Sequence, residues 1–231
     1  PTPPKPTEER TLGIDLGIKT YLTDSSGNKV DNPKHLAKRL KRLRHAQRAV
    51  SRKVKGSANR EKAKHRVAVI YERIAASRND FLHKLTKSLV ENQDYDSYAI
   101  EDLSVKDMMQ NADGRALARS IGDVSWYEFR RQLTYKAQWR GKNVLVIGRF
   151  EPSSRTCDQC GKINRDLTIA DREWTCQCGA HHDRDVLAAR NIRRFAFCEQ
   201  NTYKDQGPKV PKSKSRLKPK SVPLAKRDVK P

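Results

Sequence analysis

The chain contains Cys157-Asp-Gln-Cys160 and Cys176-Gln-Cys178, and it continues with His181-His-Asp-Arg-Asp185-Val-Leu-Ala-Ala-Arg-Asn-Ile192. Two close pairs of cysteines can each hold one side of a tetrahedral zinc ion. Asp185 opens a predicted helix, and Ala189 and Ile192 share its face, which marks that face as inward. A carboxylate in apolar surroundings is costly unless something binds it. The stretch therefore predicts a metal-binding cysteine cluster directly before a helix that presents a functional acid.

The cysteines predict one structural Zn²⁺ with four protein ligands, namely Cys157, Cys160, Cys176 and Cys178. Unliganded buried thiols and disulfides are the alternatives. His181 and His182 are near enough in sequence to replace a thiolate. The fifth cysteine, Cys198, has no partner in this four-cysteine set. An odd cysteine favours a reducing, cytoplasmic compartment over a secreted disulfide scaffold.

Two further acids lie where a fold could bring them to Asp185. Asp15 falls in a predicted first strand and Glu101 ends a later one, so 86 and 84 residues separate the three acids. Such a cluster can hold two divalent ions about 3.5–4 Å apart, and oxygen ligands favour Mg²⁺ or Mn²⁺. Each acid also has a structural alternative: a turn residue at Asp15, a solvated strand end at Glu101, and a helix-dipole partner at Asp185. A catalytic metal site is the hypothesis that explains the three acids together.

Hydrophobic periodicity predicts an α/β protein. Leu36, Leu40, Leu43 and Val50, and then residues 67–89, recur at helical spacing and predict a long helical hairpin over about 34–91. Residues 98–103 and 143–148 predict strands, whereas residues 105–120 lack a clear period. A helix is predicted over 126–140, with side chains available for burial at Trp126, Phe129, Leu133, Tyr135, Ala137 and Trp139.

These elements divide the chain into predicted parts. They are a linker at 1–9, a main domain at 10–148, the cysteine segment at 149–181, a final helix at 182–198 and a basic, disordered tail at 199–231.

The net charge of +22 predicts a polyanionic partner, and nucleic acid is the usual one. Residues 34–66 hold 14 Lys or Arg against one acid, Glu61. A solvated helix surface is the alternative, but self-repulsion would be large without a polyanion. The candidate contacts to the nucleic-acid backbone are Arg39, Arg42, Arg44, Arg48, Arg52 and Lys53. No run of 18 apolar residues and no signal-peptide core is present, so no membrane partner is predicted.

Four ordered motifs resemble the TnpB (OrfB) family, transposon-encoded relatives of the type V CRISPR effector nucleases. They are Gly-Ile-Asp15-Leu-Gly, Ile-Glu101-Asp-Leu, Ser-Ser-Arg-Thr-Cys157-Asp-Gln-Cys-Gly and His-Asp-Arg-Asp185 followed by Ala-Ala-Arg-Asn-Ile. The resemblance covers about residues 10–198. It implies a RuvC nuclease domain with an RNase H-like mixed sheet and flanking helices, into which the helical hairpin and a zinc ribbon are inserted.

The resemblance also implies chemistry and partners. Asp15, Glu101 and Asp185 would be the catalytic triad that binds two Mg²⁺ or Mn²⁺ ions, and the four cysteines would bind one Zn²⁺. The partners would be a DNA substrate and a guide RNA, in the cytoplasm of a prokaryotic cell and at the nucleoid during action. The expected activity is metal-dependent hydrolysis of DNA phosphodiesters.

Three features depart from the family pattern. Only about ten residues precede the first strand, where family members carry a large part that holds guide RNA and reads target DNA. We therefore expect a truncated or split form that needs a separate N-terminal recognition protein or a second copy. Leu187 stands where the family commonly has Asn, and the second cysteine pair is Cys-x-Cys. The alternative functions are a nuclease-weak, RNA-guided DNA-binding protein and a transposase-type DNA strand transfer.

Overall fold

A computed structural model describes residues 2–149, 151–168 and 170–198. The tail predicted at 199–231 lies outside these residues. The described chain forms a mixed α/β fold, as predicted, around one five-stranded sheet and a separate two-stranded hairpin. The strands are β1 (Thr11–Leu16), β2 (Thr20–Asp24), β3 (Lys29–Asp31), β4 (Ser97–Glu101), β5 (Asn143–Ile147), β6 (Glu173–Thr175) and β7 (His181–Asp183).

The helices surround the large sheet. They are α1 (His35–Ser51), α2 (Ala58–Glu91), α3 (Val105–Gln110), α4 (Gly114–Val124), α5 (Trp126–Trp139) and α6 (Arg184–Phe195). None of the helices in the described part of the chain combines the length and apolar character needed to cross a bilayer.

The five-stranded sheet has the order β3-β2-β1-β4-β5. The first three strands form an antiparallel meander, and β4 and β5 extend it in parallel with β1. The connection from β3 to β4 contains the long helical pair, and the connection from β4 to β5 contains α3, α4 and α5. The carboxyl ends of β1, β4 and β5 therefore meet at one edge of the sheet.

Side chains alternate between two differently covered faces of this sheet. Leu12, Ile14, Tyr98 and Ile100 belong to the main core with residues of α2, α4 and α5. On the opposite face, Ala99 packs with Ile147 of β5 and Ile192 of α6. One helix, α6, thus covers the second face and crosses β1, β2 and β4.

The helices α1 and α2 form the predicted hairpin and pack through a small core of Leu43, Ile70 and Ile74. Lys34, which precedes α1, has a left-handed backbone and provides no side-chain cap. Asp123 of α4 takes that place, because its carboxylate accepts a hydrogen bond of 2.9 Å from the backbone N–H of Leu36. The other oxygen of the same carboxylate pairs with Arg78 of α2 at 2.7 Å. One acid therefore ties both helices of the hairpin to the body of the domain.

Two boundaries differ from the predictions. Residues 105–120, which show no clear period, contain α3 and most of α4; residues 111–113 separate the two helices, and α4 begins at Gly114 with φ +85°. The predicted final helix begins too early, since His182 and Asp183 belong to strand β7 and α6 starts at Arg184. Both errors have a physical cause: short helices that bury few residues have weak periodicity, and a three-residue strand has almost none.

Candidate functional site

Two of the predicted acids lie side by side at the carboxyl edge of the sheet. The register of β1 and β4 pairs Ile14 with Ile100, so Asp15 and Glu101 are the next residues on the two strands. Because neighbours in parallel register share a face, both acids lie on the face that α6 covers. Both side chains are partly buried.

The third acid, Asp185, lies in the first turn of α6 above this edge. Asp183 ends β7 and caps α6, because its Oδ1 accepts hydrogen bonds from the N–H groups of Asp185 and Val186 at 3.0 and 3.1 Å. One turn after Asp185, the helix backbone at Ala189 rests directly on Gly13 of β1. Asp185 and Asp15 are therefore held close enough for their charges to interact.

Burial and neighbouring carboxylates raise the pKa values of Asp15 and Glu101. At Asp15, burial and the charge of Asp185 together raise the pKa from 3.8 to about 7, while Arg184 opposes the shift. At Glu101, burial and the charges of Asp15, Asp102 and Glu151 together raise the pKa from 4.5 to about 7. Repulsion among desolvated carboxylates is the condition that a bound cation relieves. The site therefore fits divalent metal ions.

The tightest groups of potential metal ligands lie in the cysteine segment. In the described residues, the sets of three or more metal-ligating atoms within 4.8 Å of one another are the four cysteines and the group Cys157–Asp158–His182. The three acids do not form such a set in the described residues.

Basic side chains surround the acids without covering them. Arg172, just before β6, pairs with Asp185 at 3.5 Å, and Lys29 of β3 pairs with the capping residue Asp183 at 2.6 Å. Burial disfavours the charged form of Asp102, but hydrogen bonds from Arg149 and Arg130 outweigh this and lower its pKa. Asp102, which follows Glu101, is therefore an ion-paired structural acid.

The cysteines converge as the sequence predicts. The Sγ atoms of Cys157 and Cys178 lie 3.8 Å apart, those of Cys160 and Cys176 lie 3.5 Å apart, and all four are free thiols within 4.8 Å of one another. A tetrahedral ion with bonds of about 2.3 Å requires sulfur separations of about 3.8 Å. The cluster can therefore hold one metal ion without rearrangement.

His182 was only one of two equivalent histidines in the sequence, yet it has a distinct position. It is 5% exposed, its ring lies 4.7 Å from that of Trp174 at an angle of 51°, and its Nε2 lies 3.2 Å from Sγ of Cys157. Its Nδ1 lies 3.6 Å from Asp158, whose other oxygen lies 3.6 Å from Arg190 of α6. His181 points outward, as the alternation of a strand requires. That alternation is the signal that could have distinguished the two histidines.

Leu187 has a packing role. It is 2% exposed and packs with Cys157, Leu167 and Trp174, so the cysteine segment and α6 share one apolar cluster. Asn191, one turn later, donates hydrogen bonds to the carbonyls of Ser153 and Thr156 at 2.7 and 2.6 Å. These contacts fix α6 to the beginning of the cysteine segment and to its apolar cluster.

The basic residues predicted to contact nucleic acid lie along α1 and just beyond it. Arg39 is partly buried and donates a hydrogen bond of 3.1 Å to Ser77 of α2. The remaining predicted side chains are exposed: Arg42, Arg44, Arg48, Arg52 and Lys53. None of them lies near the acids in sequence or along the sheet edge, so they form a separate surface.

Comparison with known proteins identifies the family. The family model OrfB_IS605, described as "Probable transposase", matches residues 1–112, and the model "Cas12f1-like, TNB domain" matches residues 126–192. The chain is 50% identical over 190 residues to a Streptomyces pristinaespiralis protein named "Putative RNA-guided DNA endonuclease". The match covers 82% of this chain and 46% of that relative. The chain belongs to the TnpB (OrfB) family.

A second TnpB-family relative is "Putative RNA-guided DNA endonuclease InsQ" of Escherichia coli K12, which is 36% identical over 78% of this chain and 48% of its own length. The chain thus spans about half the length of the curated TnpB-family relatives it matches. A solved structure titled "Cryo-EM structure of CRISPR-Cas12f Ternary Complex" superposes with a TM-score of 0.59 at 19% identity, over 79% of this chain and 38% of that one. That likeness concerns the fold alone. The resemblance predicted from the four motifs is confirmed.

Proposed function

We propose that this chain is the nuclease portion of a metal-dependent DNA endonuclease of the RuvC type, transposon-associated and guided by RNA. The observation that carries the proposal is the meeting of Asp15, Glu101 and Asp185 at one edge of the sheet, with raised pKa values at the first two. An antiparallel meander extended by two parallel strands supports an RNase H-like (RuvC) sheet. The domain limits predicted from the sequence belong to this proposal.

The three acids would hold two divalent ions, Mg²⁺ or Mn²⁺. When bound, such ions activate the attacking water and stabilise the leaving oxygen of a phosphodiester. The chain supplies a partly desolvated carboxylate cluster that favours cation binding, and a capped helix that fixes the third acid. Arg172 pairs with Asp185 while half of its side chain remains exposed. It can therefore leave that acid and lie beside a substrate phosphate when cations bind.

The cysteine segment is proposed to be a zinc ribbon with a closed, structural Zn²⁺. Four thiols and no open position are typical of structural sites, which contribute about 10–16 kcal/mol of binding free energy to folding. Since β7 leads directly into α6, zinc would organise the helix that presents Asp185. Cys157 and Leu187 belong to one apolar cluster, and this contact supports the same coupling.

The names of the relatives and the solved complexes support the proposed partners. A second structural neighbour, with a TM-score of 0.58 at 15% identity, is titled "Cryo-EM structure of the Cas12f1-sgRNA-target DNA complex". We propose a DNA substrate and a guide RNA for this chain, with the exposed cations of α1 on the nucleic-acid backbone. Target choice would need recognition residues beyond those of this chain, from a separate N-terminal protein or a second copy.

The test is cleavage of labelled single-stranded DNA by the purified chain, with and without Mg²⁺ or Mn²⁺. We expect cutting that needs the metal and is lost in Asp185→Asn, Asp15→Asn and Glu101→Gln. Glu72→Gln, at an exposed acid of α2, is the matched control and should cut normally. Salt-sensitive binding without cutting in either metal would contradict autonomous cleavage by this chain. The same result with guide RNA and the recognition partner added would contradict the nuclease and favour the nuclease-weak, RNA-guided DNA-binding function.

DNA strand transfer is the second candidate, because the matching family model is described as "Probable transposase". It shares the metal chemistry and differs in the nucleophile, which would be a DNA 3′ hydroxyl. Joined products on a denaturing gel would identify strand transfer, whereas cut ends alone identify hydrolysis.

A further inference from the structure

A row of aromatic and basic side chains runs along the outer face of α5; Tyr127, Arg131 and Trp139 are exposed and Tyr135 is partly buried. Tyr127, Arg131, Tyr135 and Trp139 follow one another at four-residue spacing, and we call these four residues the α5 stripe. Tyr127 is 74% and Trp139 72% exposed, although Trp139 was among the side chains expected to be available for burial. Trp126 and Trp174, by contrast, are 3% and 7% exposed. Aromatic side chains that are exposed together on one helix are typical of a binding site.

The stripe is internally ordered. The rings of Tyr135 and Trp139 lie 4.7 Å apart at 63°, and the guanidinium of Arg131 lies over the Tyr135 ring at 5.6 Å. Arg131 is held in turn by two hydrogen bonds to Glu128, at 2.7 and 2.8 Å. Rings that are held in place lose little conformational freedom when a planar group stacks on them.

Charge indicates which partner fits. Residues 126–142 hold five Lys or Arg against one acid, Glu128, within a chain whose net charge is +22. A second copy of the chain would bring the same positive charge to the stripe. A polyanion with planar faces satisfies both the charge and the rings, and single-stranded nucleic acid has this chemistry because its bases are free to stack.

The position of α5 in the fold indicates which nucleic-acid strand would lie on the stripe. Arg130, at the beginning of α5, pairs at 2.6 Å with Asp102, which directly follows Glu101 of the proposed site. The helix α5 therefore begins at the carboxyl edge of the sheet, on the opposite face from the acids, and the stripe runs away from that edge for about 18 Å, at about 1.5 Å per helical residue. A strand lying on the stripe would reach, at one end, the sheet edge that carries the acids.

We propose that the α5 stripe is a base-stacking surface for single-stranded DNA, the strand that is presented to the acids for cleavage. The inference rests on the proposed nuclease function for the identity of the strand. Trp139 and Tyr135 stack on bases, and Arg131 supports the stack. The exposed cations of α1 would contact the nucleic-acid backbone at a different place. The two surfaces therefore contribute to binding in different ways, since α1 acts through charge and the α5 stripe acts through base stacking.

The experiment measures binding of a fluorescein-labelled dT oligonucleotide to the full chain without added Mg²⁺ or Mn²⁺, so that cleavage plays no part. Trp139→Leu should weaken binding by about five- to 100-fold, the loss of one base–aromatic stack. The salt dependence should not change, because no phosphate contact is removed. Trp139→Phe should restore most of the affinity. Tyr71→Leu, at an exposed tyrosine of α2, is the matched control and should stay within twofold.

Intrinsic fluorescence gives a second readout, since Trp139 is the exposed tryptophan and Trp126 and Trp174 are buried. Single-stranded DNA should quench this emission, and a duplex of equal charge should not. Equal affinity of Trp139→Leu and the unmodified chain, equal quenching by duplex, or tighter binding of single-stranded RNA would overturn the proposal. Concentration-dependent association abolished by Trp139→Leu would overturn it too, because a second copy would then occupy the stripe. Binding at Trp139 by a chain that does not cut even with guide RNA and the recognition partner would support the stripe and refute the proposed nuclease.

Discussion

Gly13→Ala tests whether the contact between α6 and β1 sets the geometry of the acids. A Cβ at position 13 would lie 2.0 Å from the carbonyl oxygen of Ala189 and 2.9 Å from Cβ of Arg193. Real Cβ contacts essentially never fall under 3.0 Å, so α6 must move away from β1 by at least 1.0 Å. The obstruction is backbone, and a change of rotamer cannot relieve it.

Two consequences of this shift differ in size. Overpacking of this kind typically destabilises a protein by about 1–3 kcal/mol. Asp185 travels with α6 while Asp15, two residues beyond Gly13, stays in the strand, so the acids separate. A misplacement of about 1 Å can reduce a reaction rate about 100-fold. We therefore expect the loss of cleavage to exceed the loss of stability at temperatures where the variant remains folded.

Urea unfolding followed by circular dichroism gives the stability, and metal-dependent cleavage of labelled DNA gives the rate. Gly122→Ala in α4 is the matched control, because the nearest atom to its new Cβ is the flexible Cε of Met109 at 3.5 Å. That change should be neutral or stabilise α4 by about 0.5–1 kcal/mol. If Gly13→Ala unfolds at the same urea concentration and cleaves at the same rate as the unmodified chain, the reasoning about α6 is wrong.

Three further predictions concern charge, the cysteine cluster and the hairpin. The raised pKa of Asp15 means that the metal-free fold loses stability as pH rises from about 4 to about 7, since the folded state holds the proton longer than the unfolded state. Asp15→Asn should therefore stabilise the metal-free chain by about 2 kcal/mol at pH 8 and have little effect at pH 4. The expected value lies below the roughly 4 kcal/mol that the same pKa shift would give for a fully buried carboxyl group. Equal effects at both pH values in urea titrations would contradict this prediction. His182→Ala should lower zinc affinity about 10- to 100-fold in a chelator competition, because the ring contacts the thiol of Cys157. His181→Ala, at the exposed neighbouring residue, should change the affinity little. Equal losses in the two variants would show that the contact with the thiol is unimportant. Asp123→Ala removes a helix cap and leaves the partly buried guanidinium of Arg78 unpaired, so we expect a loss of about 2–4 kcal/mol in urea unfolding and faster hydrogen exchange in α1. The control is Asp80→Ala, at an exposed acid of α2, which should cost under about 0.5 kcal/mol. Similar results for the two variants would refute the capping role.

The sequence predicts the elements that have strong periodicity or distinctive ligands. The hairpin of α1 and α2, the strands of the sheet and the four converging cysteines follow from local patterns that survive in the fold. The three acids were singled out from their positions in predicted elements, and the fold brings Asp15 and Glu101 into neighbouring register. Their catalytic roles stay a prediction.

Other features depend on contacts between distant residues, which a single sequence does not contain. Asp123 caps α1 at the N–H of Leu36, 87 residues earlier, and the backbone of Ala189 leaves room only for glycine at position 13. The exposure of Trp139 was missed because it was grouped with the side chains available for burial, although it lies off the helix face that Phe129 and Leu133 bury. The distinct position of His182 was missed because the predicted boundary divided a three-residue strand between the cysteine segment and the final helix. This removed the alternation that separates His182 from His181.

The direct passage from β7 into α6 has a practical consequence for inhibition of the proposed nuclease. Asp183 is at once the last residue of the ribbon hairpin and the cap of the helix that carries Asp185, so the chain has no linker that could absorb a change in the ribbon. A compound that withdraws zinc would disable phosphodiester cleavage without approaching the acids or the DNA. The same chain would thus be open to two independent kinds of metal-directed inhibitor, one for thiolate-bound zinc and one for carboxylate-bound magnesium.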